Sequence, residues 1–263
     1  MRKHDLGEGF AARVRMGRLD DDDPQLVSAC VAAGDDNRAR GLLTRWSERR
    51  GVDDETRLRL AWEALCAGAY PLVLRLLAPL VDTDHPEALA LIGESMVLAG
   101  APLEGAERLR RATELDPSLA RAWDFLGVVM AKRKAWGEAE LPLRRAAELG
   151  PEGPERHRNL AMLLLDAGRG AEAVAPAERA VAMLEVDDSS LGLLARAYQA
   201  AGDGAWATLA AWAADYYTEQ HLHRAALGGV AGALPGNVPP PPDLFRPSFG
   251  RFKRRLEEIA AGL

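Results

Sequence analysis

Apolar residues recur at steps of three and four along most of the chain, which is the periodicity of an amphipathic helix. One example runs from Trp123 through Leu126 to Met130. Short breaks that contain glycine, such as "LAGAP", "DAGRG" and "AAGDG", separate neighbouring stretches of this kind. The pattern predicts short helices that are joined in pairs by tight turns.

The pattern also repeats with a fixed period. Pro117 and Pro151 close the similar segments "RATELDP" and "RAAELGP" and lie 34 positions apart. Four successive windows, starting near residues 86, 120, 154 and 188, keep this register without an insertion. Small residues recur at the matching positions: Gly93, Gly127, Ala161 and Ala195, and again Ala112, Ala146, Ala180 and Ala214. A period of this length indicates stacked helix pairs, each covered by the next.

The small residues and the prolines have physical roles in such a repeat. Two antiparallel helices approach closely only where neither carries a bulky side chain, so the small positions mark the contact within a pair. The closing proline cannot continue a helix and ends one repeat. Pro142 and Pro176 fall inside second helices, and each is expected to cost one backbone hydrogen bond.

The window around 120 carries the spacing of a known repeat: Trp123, Leu126, Gly127, Met130, Ala139, Leu143, Ala146 and Pro151. This spacing resembles the tetratricopeptide repeat, and the resemblance covers about 86–221. It implies an all-α fold, a right-handed superhelical solenoid of stacked antiparallel helix pairs. The chain departs from the repeat at three positions, where His157 replaces a large apolar residue, Lys134 replaces the glycine of the turn, and Glu185 replaces the closing proline.

The remaining segments complete the predicted organisation. Residues 1–85 are expected to form divergent helical repeats, because 24–46 and 57–84 have the same shape, with Gly68 at a break and Pro71 in a first helical turn. With 86–221 this gives about five to six repeats. Residues 222–242 form a Gly/Pro-rich linker, and 243–263 an amphipathic C-terminal helix. The acidic run at 20–23 fits a helix N-terminus; four adjacent carboxylates cannot converge on one metal ion.

Three ways of packing the C-terminal helix are open. Its apolar residues fall on one face: Phe249, Phe252, Leu256, Ile259 and Leu263. The helix could cap the last repeat, bind a partner protein, or lie on an anionic membrane surface. The aromatic residues Trp206, Trp212, Tyr216 and Tyr217 favour the cap, because a covering element would bury them.

Composition narrows the functional classes. The net charge of −6 gives no basic footprint for nucleic acid. Cys30 and Cys66 sit in helical patterns and are predicted to pack in the core rather than to form a disulfide framework. The N-terminal sequence lacks the apolar stretch of a signal peptide, and no apolar run approaches membrane-spanning length. These features predict a cytoplasmic protein, and the residue usage is typical of bacteria.

Candidate chemistry is sparse. His221 and His223 are two positions apart, so they would point to different sides of a helix. The "GEGFAA" at 7–12 fits a loose dinucleotide fingerprint but lacks the preceding strand. A P-loop, a nucleophile elbow and an HExxH motif are all missing from the sequence. We therefore expect no enzyme activity, no cofactor and no metal.

The resemblance implies that the first helix of each repeat lines a groove for a peptide or a partner helix. Glu94 is among the groove-facing positions, and the candidate binding residues are Arg121, Asp124, Val128, Lys132, Arg158, Asn159, Met162, Leu165, Arg196 and Gln199. The four cations among these would bind carboxylates of the partner segment, and the apolar members would contact its apolar side chains. Some members of the repeat family bind a C-terminal carboxylate with Lys and Asn side chains of successive first helices. Of that set, only Asn159 has a match in this chain. A merely solvated charged face is an equally open alternative.

The sequence therefore predicts a non-catalytic scaffold or adaptor that captures a segment of another protein. A chaperone-like holder of a secreted or assembly protein and a regulatory subunit of an enzyme complex remain as alternatives.

Overall fold

The computed structural model describes residues 23–149, 154–183, 188–204, 206–208, 210–211, 213–214, 254–256, 258–259 and 261. Throughout these residues the regular secondary structure is helical, and none of them lies in a strand. The chain divides into two compact units, residues 1–125 and 126–263. The all-α prediction is confirmed.

From residue 23 onward, the described part of unit 1 contains three helix pairs. Their bounds are α1 Pro24–Ala32, α2 Asp36–Glu48, α3 Asp54–Cys66, α4 Tyr70–Leu77, α5 Pro86–Leu98 and α6 Pro102–Leu115, with a 3-10 helix Ala78–Thr83 after α4. Helix α1 packs on α2, α3 on α4, and α5 on α6. The first helices also contact one another in order, α1 with α3 and α3 with α5. The unit ends within α7, Ala120–Lys132.

Local chemistry explains where the helices of unit 1 begin. Asp23, Asp35 and Asp53 cap α1, α2 and α3, and each side chain accepts a backbone N–H of the first turn. Asp23 therefore sits at a helix N-terminus, as predicted for the acidic run, whereas residues 20–22 lie outside the described residues. Pro71 occupies the first turn of α4, as predicted.

Unit 2 is built from helices of the same kind. They are α8 Trp136–Glu148, α9 Pro154–Asp166, α10 Gly170–Ala182 and α11 Asp188–Ala200. Helix α9 packs on α10, α10 packs on α11, and the first helices α9 and α11 contact each other. Helical residues follow between 204 and 214, and again between 254 and 261. Pro142 and Pro176 lie inside α8 and α10, as the sequence predicts.

Two of the pairs contact closely at glycines. A Cβ atom added to Gly105 of α6 would lie 2.6 Å from the carbonyl oxygen of Gly93 in α5. A Cβ atom added to Gly127 of α7 would lie 2.5 Å from Cγ of Leu143 in α8. Both distances are far below van der Waals contact, so the paired helices approach this closely only because the glycine carries no side chain. The predicted steric role of the small positions is confirmed at these sites.

One residue of each turn between paired helices has a positive φ. Five of these residues are Gly34, Gly68, Gly100, Gly168 and Gly202, with φ between 64° and 94°. At the turn between α7 and α8 the residue is Lys134, with φ 61°. A lysine carries a Cβ atom that disfavours this left-handed conformation. The fold therefore imposes the same turn geometry even where the sequence lacks the glycine.

Two further predictions have mixed outcomes. Cys30 is buried, but Cys66 is exposed, so the prediction that both cysteines pack in the core was wrong for Cys66. Cys66 is the last residue of α3, beside the turn that leads to α4. Of the aromatic residues expected under a covering element, Trp206 is half-buried, whereas Trp212, Tyr216 and Tyr217 are outside the residues whose side chains are described. Among the described helices, none is long and apolar enough to cross a membrane.

Candidate functional site

The first-helix face of unit 1 carries a buried ion pair. Arg121, in the first turn of α7, donates from Nε to both carboxylate oxygens of Glu94 in α5, at 2.7 Å and 2.6 Å. The Glu94 side chain is only 1% exposed, whereas that of Arg121 is 38% exposed. One cation predicted to meet a partner is therefore held from below by a carboxylate.

An aromatic side chain holds the same guanidinium from the side. The guanidinium carbon of Arg121 lies 3.9 Å from the centroid of the Trp62 ring and 5.7 Å from that of Phe125. These distances suit cation–π attraction, which is strongest over a tryptophan face. Trp62, in α3, is itself 38% exposed. We call Trp62, Glu94, Arg121 and Phe125 the Arg121 cluster.

Burial and the neighbouring Arg121 act in opposite directions on the pKa of Glu94. Burial raises the pKa of Glu94 to about 7, although the Arg121 charge and hydrogen bond act in the opposite direction, and the half-buried Asp124 adds a smaller upward contribution. The carboxylate is therefore close to its titration point at neutral pH. In a dry environment, the charge of Glu94 is tolerated because Arg121 is beside it.

The two Nη nitrogens of Arg121 differ from its Nε atom in their hydrogen bonding. Among the described residues, neither Nη nitrogen of Arg121 makes a hydrogen bond. A guanidinium fixed at Nε and stacked on an indole ring presents these two nitrogens in a set direction. Such a fork matches the geometry of an incoming carboxylate.

The predicted binding residues of unit 2 lie on α7, α9 and α11. Met162 is 44% exposed, and Leu165 is half-buried on the same helix. Nη1 of Arg158 donates to Oγ of Ser189 at 3.2 Å. Arg158, Asn159 and Val128 are half-buried, whereas Lys132, Arg196 and Gln199 are exposed. We call Met162, Leu165, Arg158 and Arg196 the Met162 surface.

A second buried carboxylate lies elsewhere in unit 2. Glu178 of α10 is 3% exposed and accepts a hydrogen bond at 2.6 Å from the Tyr198 hydroxyl of α11. Arg255, from the C-terminal segment, donates to Glu178 from Nε and, at 2.9 Å, from Nη2. Burial, followed by the bond to Glu178, raises the pKa of Tyr198. Arg255 of the C-terminal segment therefore contacts the repeats of its own chain, whereas capping of the last repeat by this segment stays a prediction.

Sequence reasoning missed Trp62, the pairing of Glu94, and the site around Glu178. The register could have found Trp62, because it precedes the turn residue Gly68 by six positions, as Val128 precedes Lys134. A charged residue in the apolar stripe of α10, between the buried Ala177 and Ala180, was a signal for Glu178. The described part of the chain contains no group of His, Cys, Asp and Glu side chains able to hold a metal ion.

The comparisons with known proteins concern the fold. No protein-family model matches the chain, and no curated protein sequence matches it. Several solved structures do match the chain. TTC0263, a thermophilic tetratricopeptide protein of Thermus thermophilus, is 24% identical, with a TM-score of 0.51 over 69% of this chain and 99% of its own. The chain has a tetratricopeptide-like fold.

Two structures of MamA agree with this fold. One crystal structure of MamA is 19% identical and covers 65% of this chain and 98% of its own, with a TM-score of 0.53. MamA AMB-1 is 21% identical and covers 63% of this chain and 97% of its own, with a TM-score of 0.55. At these identities the tetratricopeptide-like relatives support the architecture alone, and the binding residues have to be argued from this chain.

Proposed function

We propose that the protein is a non-catalytic interaction scaffold that captures a peptide or helix segment of another protein on its first-helix faces. The observation that carries this proposal is the Arg121 cluster. There a partly exposed tryptophan of α3 and a partly exposed arginine of α7 lie against each other. Tryptophan and arginine are among the side chains most enriched at positions that dominate protein–protein binding energies.

The cluster is preorganised for binding. Glu94 holds Nε of Arg121, and the Trp62 ring packs against its guanidinium. A side chain that is already held in place loses little conformational entropy when a partner arrives. A partner carboxylate at the Nη nitrogens and an apolar side chain against Trp62 would use both features together.

The Met162 surface supports the same proposal independently. An exposed methionine adapts its shape to different partners, because its unbranched side chain has several rotatable bonds. Arg196 is exposed, and among the described residues it makes no ion pair, so its charge is available to an acidic group. Both surfaces thus favour a partner segment that combines acidic and apolar residues.

The experiment uses the full chain as bait in a pull-down from its native lysate, followed by mass spectrometry. Trp62→Ala and Met162→Ala should each reduce recovery of the specific partner several-fold. Leu141→Ala is the matched control, because Leu141 is an apolar side chain of the second helix α8 and is 64% exposed. Circular dichroism should show that all three variants remain helical.

The outcomes separate cleanly. Loss of the partner with Trp62→Ala or Met162→Ala, but not with Leu141→Ala, supports capture on the first-helix faces. Equal recovery by all variants, or loss only with Leu141→Ala, contradicts the proposal and moves binding to another surface.

A further inference from the structure

The C-terminal segment contacts the repeats through one arginine. Arg255 lies 77 positions after Glu178, and its guanidinium bonds both oxygens of that carboxylate in the fork arrangement that is specific to arginine. The residues around it, 254–256, 258, 259 and 261, are helical. In this contact, a helical segment places an arginine on the carboxylate of Glu178.

The acceptor belongs entirely to α10 and α11. The Glu178 side chain is 3% exposed, and the Tyr198 hydroxyl orients one of its oxygens. Tyr198 is 5% exposed, and its ring lies 5.5 Å from the Trp206 ring. The contacts with Tyr198 and Trp206 come from the repeats, so the repeats supply the acceptor and the C-terminal segment supplies the cation.

The donor is much more exposed than the acceptor. The Arg255 side chain is 52% exposed, whereas the carboxylate that it meets is buried. Among the described residues, Arg255 is the one cation that bonds Glu178, and a buried carboxylate is costly without such a partner. The buried carboxylate therefore needs a cation beside it, and the fork geometry suits a guanidinium.

We propose that Glu178 and Tyr198 form a recognition site for an arginine carried on a helix, which the chain's own C-terminal segment fills and which an arginine-bearing helix of a partner protein takes by displacing that segment. This site shares no residue with the Arg121 cluster or the Met162 surface. The two proposals therefore stand or fall separately.

The exposed Arg254 provides a matched control for Arg255. It is the neighbouring arginine on the same helical segment, and among the described residues it makes no hydrogen bond or ion pair. Arg254→Ala therefore removes the same charge and the same side chain while leaving the fork on Glu178 intact.

The experiment measures whether the site accepts a helix supplied in trans. A fluorescein-labelled peptide with the sequence of residues 248–263 is titrated with three full-length chains: wild type, Arg255→Ala and Arg254→Ala. Fluorescence anisotropy should show binding to Arg255→Ala that is about tenfold tighter or more, because the site is empty only in that variant. Wild type and Arg254→Ala should behave alike.

Two further titrations test the chemistry. A peptide in which the residue corresponding to Arg255 is replaced by lysine or alanine should lose most of the binding, because neither forms the fork. The chain with both Glu178→Gln and Arg255→Ala should not bind the original peptide. If Arg255→Ala fails to stay folded, as judged by circular dichroism, Arg255→Lys replaces it: the lysine keeps a charge beside Glu178 but does not form the fork, so the arginine peptide should displace it.

Several results would overturn the proposal. These are absence of peptide binding to the emptied site, equal binding to all three chains, and binding that is indifferent to the arginine of the peptide. A doubled mass of wild type in light scattering, lost in Arg255→Ala but kept in Arg254→Ala, would make a second copy the occupant and would overturn filling by the same chain.

Discussion

Arg121 of α7 donates from Nε to both carboxylate oxygens of Glu94 of α5, at 2.7 Å and 2.6 Å, and so joins the first helices of two successive repeats. The residue predicted to meet a partner is thus also a structural residue. Its inner edge neutralises a buried carboxylate, and its outer edge faces solvent. Any test of binding through Arg121 must therefore be separated from its effect on stability.

Arg121→Ala should lower the free energy of unfolding by about 2–3 kcal/mol at pH 8, because it leaves Glu94 buried without a cation. At pH 5 the loss should be smaller, since Glu94 is then already protonated and needs no cation beside it. Urea unfolding followed by circular dichroism measures both values. Arg196→Ala removes an exposed first-helix arginine and should change stability by less than about 0.5 kcal/mol. Equal losses for the two variants would contradict the structural role of Arg121.

The pKa of Glu94, raised by burial to about 7, predicts a pH dependence with a definite sign. Between pH 4.5 and 7 the folded protein keeps a proton on Glu94 that the unfolded chain has already lost. The corresponding stability is fully present below pH 4.5 and is lost as the pH rises through 7, by up to about 3 kcal/mol. Glu94→Gln cannot titrate, so it should lack this loss. If the free energy of unfolding changed by the same amount between pH 5 and pH 8 in both proteins, the prediction would be contradicted.

His157 predicts the opposite trend. It is 4% exposed in α9, and burial, together with the charges of Arg179 and Arg156, lowers its pKa. The unfolded chain therefore binds a proton near pH 6.5 that the folded protein resists. The stability supplied by neutral His157 is present above pH 6.5 and falls as the pH drops below it. His157→Leu should flatten this fall, as measured by melting temperatures at pH 7.5 and 5.5, and an unchanged slope would argue against it.

Lys134→Gly should stabilise the protein. The φ of 61° at Lys134 is strained for a residue with a Cβ atom, and glycine occupies the matching turn positions. Relief of about 0.5–1 kcal/mol is expected, even though glycine increases the entropy of the unfolded chain. The reciprocal change, Gly168→Lys, should destabilise by a similar amount. Opposite signs in chemical denaturation would support the shared turn geometry, and equal signs would refute it.

Gly105→Ala should destabilise the contact between α5 and α6. Its new Cβ atom would lie 2.6 Å from a backbone oxygen of Gly93, so one helix must shift. A loss of about 1–3 kcal/mol is expected despite the better helix propensity of alanine. Gly137→Ala is the control, because its Cβ atom would meet nothing within 4 Å in α8. Thermal melting should therefore move down for the first variant and slightly up for the second.

The sequence was sufficient for features that depend on local spacing. Helix pairing, the close approach at Gly93 and Gly127, and the turn at Lys134 all follow from residues within one 34-residue window. The binding clusters do not, because they depend on contacts between distant positions. Glu94 and Arg121 are 27 positions apart, and Glu178 and Arg255 are 77 apart. Nothing in the periodicity specifies which buried acid meets which arginine.

The turn residues carry one last implication. Lys134, Gly168 and Gly202 share one backbone geometry and are evenly spaced in sequence. The stretch between any two of them therefore starts and finishes in the same conformation. Removing or duplicating such a stretch would preserve the turn geometry on either side of it. Gene duplication could therefore have lengthened this protein by whole repeats without requiring a new turn.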